Sequence, residues 1–132
     1  MPLEPRDSAD PREWLRRDRS NLARARAGRA THEVLYEDLC FDAQQAAEKS
    51  IKGVLIRNGI PFPKTHVIDA LLTQAELGGV VVPDDMRESV VLTDYATFAR
   101  YPGPGEDVTQ DEYERAVKLA EGVVAWAETL VS

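Results

Sequence analysis

The chain has 132 residues and a formal net charge of −7, with 43% hydrophobic and 30% charged residues, the balance of one soluble domain able to bury a core. No apolar run approaches the roughly 20 residues of a membrane-spanning helix. There is no apolar signal core after Met1, and the single Cys40 excludes an internal disulfide and a four-cysteine zinc site, so a reducing cytoplasm is the expected setting.

The charge is unevenly spread. Residues 1–30 carry eight Arg and five acidic residues, a net +3, and residues 31–132 carry eight Lys or Arg and eighteen acidic residues, a net −10. So acidic a chain makes a poor general nucleic-acid binder, because phosphate contacts need local positive charge. The exception is the segment with Arg12, Arg16, Arg17, Arg19, Arg24, Arg26 and Arg29. It reads first as a solvated helix face paired with an acidic neighbour. An RNA-binding face and a docking surface for an acidic protein are the alternatives.

In chain order, residues 1–9 read as a flexible tail. Asp10-Pro11-Arg12-Glu13 opens a first helix, with Asp10 as cap, Pro11 in the first turn and Glu13 placed to reach back. That helix runs to about Gly28 and puts Leu15, Leu22 and Ala25 on one side. The second helix spans roughly Glu33 to Arg57 and stops at Asn58-Gly59. Its apolar face holds Cys40, Ala43, Ala47, Ile51, Val54 and Leu55, with Glu48, Lys49 and Lys52 on the opposite, solvent-facing side. Gln44 falls inside the apolar face and needs a specific partner.

Pro61 and Pro63 break the helix. Thr65 is the expected cap of a third helix carrying Ile68, Leu71, Leu72 and Ala75 to Gly78-Gly79. Val80–Val82 reads as an extended, buried connector. Pro83-Asp84-Asp85 opens a fourth helix, placing Val91, Tyr95, Phe98 and Ala99 inward and ending near Arg100. Tyr101–Gly105 is a loop. Thr109 to Glu112 form a capping box for a fifth helix with a seam at Tyr113, Val117, Ala120, Val124, Ala127 and Val131. The fold class expected is all-α, an up-and-down antiparallel bundle of about five helices in one domain, with Ala47, Ile51, Leu72, Tyr95, Phe98, Val117 and Val124 largely buried.

The sequence contains no phosphate loop and no nucleophile elbow. His32 and His66 lack a second ligand at helical metal spacing, and acidic pairs such as Asp38/Asp42 and Asp84/Asp85 are ordinary on solvated helices. No metal or cofactor is expected.

The run Phe41-Asp42-Ala43-Gln44-Gln45-Ala46-Ala47-Glu48-Lys49-Ser50-Ile51-Lys52 resembles the second-helix signature of HEPN domains. Pro63-Lys64-Thr65-His66 with Leu71-Leu72, and Ala99-Arg100-Tyr101-Pro102, extend the likeness in the same order. In helix one this chain has Asn21-Leu22 where the family often has Asp-Leu. The resemblance implies a helical bundle, usually a homodimer, that acts as a nucleotide- or RNA-associated module. Many such domains stand beside a minimal nucleotidyltransferase, and some such pairs behave as toxin and antitoxin. A subset are metal-independent ribonucleases with an Arg-x4–6-His motif composed across the dimer. Here Arg26 and His32 have a fitting spacing but stand at the end of helix one. Arg57 and His66 are separated by eight residues and two prolines, and Arg100 has no histidine after it.

The function expected is therefore a dimeric nucleotide-binding or nucleotidyltransferase-partner module without catalysis of its own. The alternative is a ribonuclease toxin using Arg26 and His32, or Arg57 and His66. Lys49, Lys52, His66 and Arg100 are the candidate nucleotide-binding residues, since each can donate hydrogen bonds to an anion. The wide apolar face of helix two is a second reason to expect a homodimer. Lys49 and Lys52 are expected to tolerate Ala as surface residues.

Overall fold

A computed structural model describes residues 7–97 and 105–131. Helix α1 spans Pro11–Ala27, α2 Tyr36–Arg57 and α3 Ile68–Leu77; a 3-10 helix covers Asp84–Ala96, and α4 covers Gln110–Leu130. The chain is an all-α, up-and-down bundle, and no strand occurs among the described residues. Helix α2 is the hub: α1, α3, the 3-10 helix and α4 all pack against it. Phe98, Ala99 and Arg100 lie outside the described residues, as do Tyr101 and Pro102.

The ends of the helices follow local chemistry. Asp10 Oδ1 accepts from the Arg12 backbone N–H at 2.9 Å, as a cap should. Glu13 does not reach back to complete a box; Arg16 and Arg17 claim its carboxylate at 2.8 and 3.0 Å. Thr109 and Glu112 do form the reciprocal box on α4. At the end of α2, Gly59 takes φ 66°, and the Ile60 N–H returns to the Leu55 carbonyl at 2.9 Å. That closure needs the left-handed conformation glycine tolerates.

Two expected starts move. Helix α2 begins at Tyr36, not Glu33, and α3 begins at Ile68 with Val67 as its cap residue. Thr65 lies two residues before the cap position of α3; its hydroxyl accepts instead from the Val67 N–H at 3.0 Å. Thr93, on the 3-10 helix, accepts the Ile68 N–H at 3.2 Å, so the orphan donor is met from another element.

The core forms on the predicted faces of α1, α2 and α3. Leu15, Leu22, Ala25, Cys40, Ala43, Ala47, Ile51, Val54, Leu55, Ile68, Leu71, Leu72 and Ala75 are buried. On α4, Ala120, Val124, Ala127 and Val131 are buried, while Tyr113 and Val117 are only half-buried, and Ala116 and Val123 complete the seam.

The fourth element departs from expectation. Asp84–Ala96 is wound as 3-10, and its buried residues are Ser89, Leu92 and Ala96. The tighter turn rotates the inward face. Val91 therefore points out, and Tyr95 is half-buried against the core. Val80 and Val82 pack on the core, but Val81 between them is exposed, as the alternation of an extended chain requires.

The apolar face of α2 is consumed within the chain, because four neighbours cover it. That width gives no separate argument for a dimer. Burial extends beyond the apolar face: Asp42, Glu48, Ser50 and Lys52 are also buried. The expectation that Glu48 and Lys52 face solvent is wrong: α1 lies along the Lys52 side of α2 with Trp14 near its ammonium, and Gln44 and His66 close on Glu48. Gly53 permits the approach, since a Cβ there would stand 3.3 Å from Trp14 Cβ.

Among the described residues no helix is long and apolar enough to cross a membrane.

Candidate functional site

The polar residues of α2 form two clusters. The first centres on Glu48, which is 3% exposed. Gln44 Nε2 donates to its Oε1 at 2.9 Å, His66 Nδ1 lies 2.7 Å from the same oxygen, and Lys52 Nζ donates to Oε2 at 2.9 Å. Gln44 thus has its specific partner, and it donates also to the His66 carbonyl at 3.3 Å. Burial pushes the Glu48 carboxyl up, but the bonds from Gln44, Lys52 and His66 outweigh it, and its pKa ends below the ordinary value.

Lys52 is engaged within this cluster. Its ammonium is bonded to Glu48 and sits 5.9 Å from the Trp14 ring centre and 5.8 Å from that of Phe62. Trp14 is itself fixed by donating from Nε1 to the Ser8 carbonyl at 2.8 Å. His66 is different. Its ring is 63% exposed, and because an ionised Glu48 can only accept, Nδ1 carries the proton and Nε2 faces away from that bond.

The second cluster lies between α1 and the Lys49 side of α2. Asn21 Nδ2 donates to Asp42 Oδ1 at 3.0 Å, and Lys49 Nζ donates to Asn21 Oδ1 at 2.7 Å. Arg24 pairs with the other Asp42 oxygen at 3.3 Å. An aspartate at position 21 would set a second carboxylate against Asp42; the amide instead bridges an anion and a cation. Beside this network is a pocket of about 270 Å³ lined by Arg16, Arg17, Ser20, Asn21, Arg24 and Lys49. Among the described residues Lys49 has no carboxylate within ion-pair distance. Burial holds its pKa below the ordinary lysine value, with Arg17 and Arg24 adding to the effect against Glu48 and Asp42.

The remaining cations are mostly paired, as the first reading of the arginine-rich segment expects. Arg19 meets Glu128 at 3.2 Å, and Arg26 meets Glu121 at 2.7 Å. Arg29 donates to the His32 carbonyl and lies over the Tyr36 ring. Arg26 is therefore directed at α4, and His32 stands exposed in the α1–α2 connection. Arg57 and His66 are also apart. His66 bonds to Glu48, nine residues before Arg57 on α2, roughly 13–14 Å along the axis at 1.5 Å per residue.

Cys40 is fully buried, and burial pushes its thiol up to about 12, with Glu37 and Glu112 adding to the shift, which leaves it inert as a nucleophile. No group of three His, Cys, Asp or Glu able to hold a metal occurs among the described residues.

The HEPN domain model matches residues 11–130. The chain belongs to the HEPN domain family. Its fold is similar to the crystal structure of ST0689, an archaeal HEPN homologue, with TM-score 0.71, 26% identity, and coverage of 92% of this chain and 98% of that one. The chain is also 29% identical to the protein named "Putative toxin MJ1304" of Methanocaldococcus jannaschii, over 67% of this chain and 68% of that protein.

Within this HEPN bundle, the recognised motif residues separate by role. Glu48, Lys52 and His66 are joined in one cluster, Lys49 turns to the α1 side, and Arg100 lies outside the described residues. Sequence reasoning missed Arg16, Arg17, Ser20 and Arg24 as a pocket with Lys49. The available signal was the stripe they make on one side of α1, at positions 16/17, 20 and 24.

Proposed function

We propose that this HEPN chain is a homodimeric module that binds a nucleotide and works beside a minimal nucleotidyltransferase, without catalysis of its own. The observation that carries the reading is the fate of the cations. Arg26 is held by Glu121, and His66 is held by Glu48, nine residues before Arg57 on α2, which speaks against either Arg–His pair acting within one chain. Lys49, by contrast, keeps an ammonium without a carboxylate beside an open basic pocket.

The dimer rests on family membership, with Val67, Leu77, Val81 and Val91 supplying exposed apolar side chains on α3, its flanks and the 3-10 helix. Titration calorimetry of the purified protein with a nucleotide panel tests the ligand. Sedimentation at tens of micromolar tests the assembly. Heat of binding to at least one nucleotide and a dimer are expected; no binding to any nucleotide overturns the ligand reading.

A second reading has its own support. The likeness to a protein named as a toxin, and a histidine whose Nδ1 is fixed by a carboxylate while its ring is exposed, favour a ribonuclease toxin. In that role Nε2 of His66 would exchange the proton. Growth arrest on expression, abolished by His66→Ala and accompanied by RNA cleavage in the purified protein, would establish this second reading over the first.

A further inference from the structure

The pocket between α1 and α2 has a composition that selects its ligand. Four of its six lining residues are cations, Arg16, Arg17, Arg24 and Lys49, and the other two, Ser20 and Asn21, are neutral hydrogen-bonding side chains. Among the described residues no apolar or aromatic side chain lines it. Its roughly 270 Å³ falls below the approximately 300–1,000 Å³ of pockets that enclose a drug-sized molecule. Smaller than such pockets and without an apolar wall on which a nucleobase could stack, it is suited to a compact anion.

The local charges also leave an anion welcome. Glu13 is shared between Arg16 and Arg17, and Asp42 serves Arg24 and Asn21, so two carboxylates face four cations. Lys49 contributes its ammonium to a single acceptor, the Asn21 amide oxygen, and an ammonium has three N–H donors. Burial and the neighbouring Arg17 and Arg24 make the protonated state of Lys49 harder to hold; an anion among them reverses that penalty. A second open depression, whose lining includes Arg26, Asp111, Glu114, Arg115 and Lys118, interleaves both signs and has no such bias.

We propose that Arg16, Arg17, Ser20, Arg24 and Lys49 form a phosphate site that grips the phosphate tail of a nucleotide and leaves its base outside the pocket. The identity of the carrier rests on the proposed function; the site itself rests on the pocket. Arginine forks and the Ser20 hydroxyl suit the oxygens of a phosphate or pyrophosphate group, and the charge of such a group meets the excess of two cations. An RNA is the less favoured carrier, because the remainder of the chain is acidic.

The test is calorimetry on the native protein, Lys49→Gln, Arg16→Gln and the control Lys118→Gln, with circular dichroism to check folding. Titrants are inorganic pyrophosphate, adenosine, a nucleoside triphosphate and a 5′-phosphorylated RNA oligonucleotide. Pyrophosphate and the triphosphate should bind the native protein and Lys118→Gln alike, adenosine should not bind, and the two pocket variants should lose about tenfold or more in affinity while folded. Arg16 is an exposed side chain, so Arg16→Gln keeps the test valid if Lys49→Gln fails to fold. Triphosphate binding that the pocket variants leave unchanged overturns this site but leaves the proposed function standing. Pyrophosphate binding lost in the variants, without any nucleotide binding, sustains the site and overturns that function. Binding of the RNA alone overturns the assignment to a free nucleotide, and no anion binding at all overturns both.

Discussion

Nδ1 of His66 lies 2.7 Å from Oε1 of Glu48, so the histidine that precedes α3 is tied to the middle of α2. The same carboxylate holds Lys52 by its other oxygen at 2.9 Å. Three residues of the family motifs are thereby engaged with one another, and the segment between α2 and α3 is pinned across the gap its prolines create.

Removing Lys52 should cost stability. Glu48 is almost fully buried, and deleting one partner of a buried pair leaves an uncompensated charge, typically a loss of about 3–5 kcal/mol. Gln44 and His66 remain as donors to Glu48, which places Lys52→Ala at the lower end, near 3 kcal/mol. Chemical denaturation reads this directly. A change within about 0.5 kcal/mol, as expected of a surface lysine, would contradict the buried assignment.

Asp18 and Ser50 should make stability depend on pH. Ser50 Oγ lies 2.7 Å from both Asp18 Oδ2 and the Ala46 carbonyl, but a hydroxyl has one proton to give. A protonated Asp18 resolves the conflict by donating to Ser50. Burial pushes the Asp18 carboxyl up to about 7, opposed by the Ser50 bond, and its Oδ1 has no hydrogen-bond partner. Because the folded pKa lies above the unfolded one, the stability from this group is complete below the unfolded value of 3.8 and is lost as pH rises through about 7. Asp18→Asn imitates the neutral acid. It should match the native protein near pH 4 and exceed it by up to a few kcal/mol near pH 8. Equal stability at both pH values would refute a neutral Asp18.

Asn21 should tolerate no negative charge. Its amide donates to Asp42 and accepts from Lys49. Asn21→Asp places a carboxylate beside Asp42 and gives Lys49 an ion-pair partner, so anion affinity should fall and its salt dependence should shrink. Calorimetry at two ionic strengths checks both. An unchanged affinity would remove Lys49 from the binding site.

The helices, their order and most of the core were legible because the apolar spacing of α1, α2 and α4 is long and regular. Gln44 was legible too, since a lone amide on an apolar face has to be paired. Lys52 was not, because a helical wheel identifies the apolar side of α2 but not that α1 closes over its charged side. The rotation of Val91 and Tyr95 was hidden for a related reason: a 3.6-residue period was assumed where the chain winds as a 3-10 helix. The α1 pocket escaped notice because its residues read singly as a solvated arginine face, and only the approach of Lys49 from α2 makes them a site.

The division between Lys49 and Lys52 is the most direct point of attack. Nucleotide affinity should be measured by calorimetry for Lys49→Ala and Lys52→Ala under conditions where both remain folded. The account predicts that Lys49→Ala loses about tenfold or more in affinity while Lys52→Ala, though less stable, binds as the native protein does. Affinity lost in folded Lys52→Ala and kept in Lys49→Ala would contradict it.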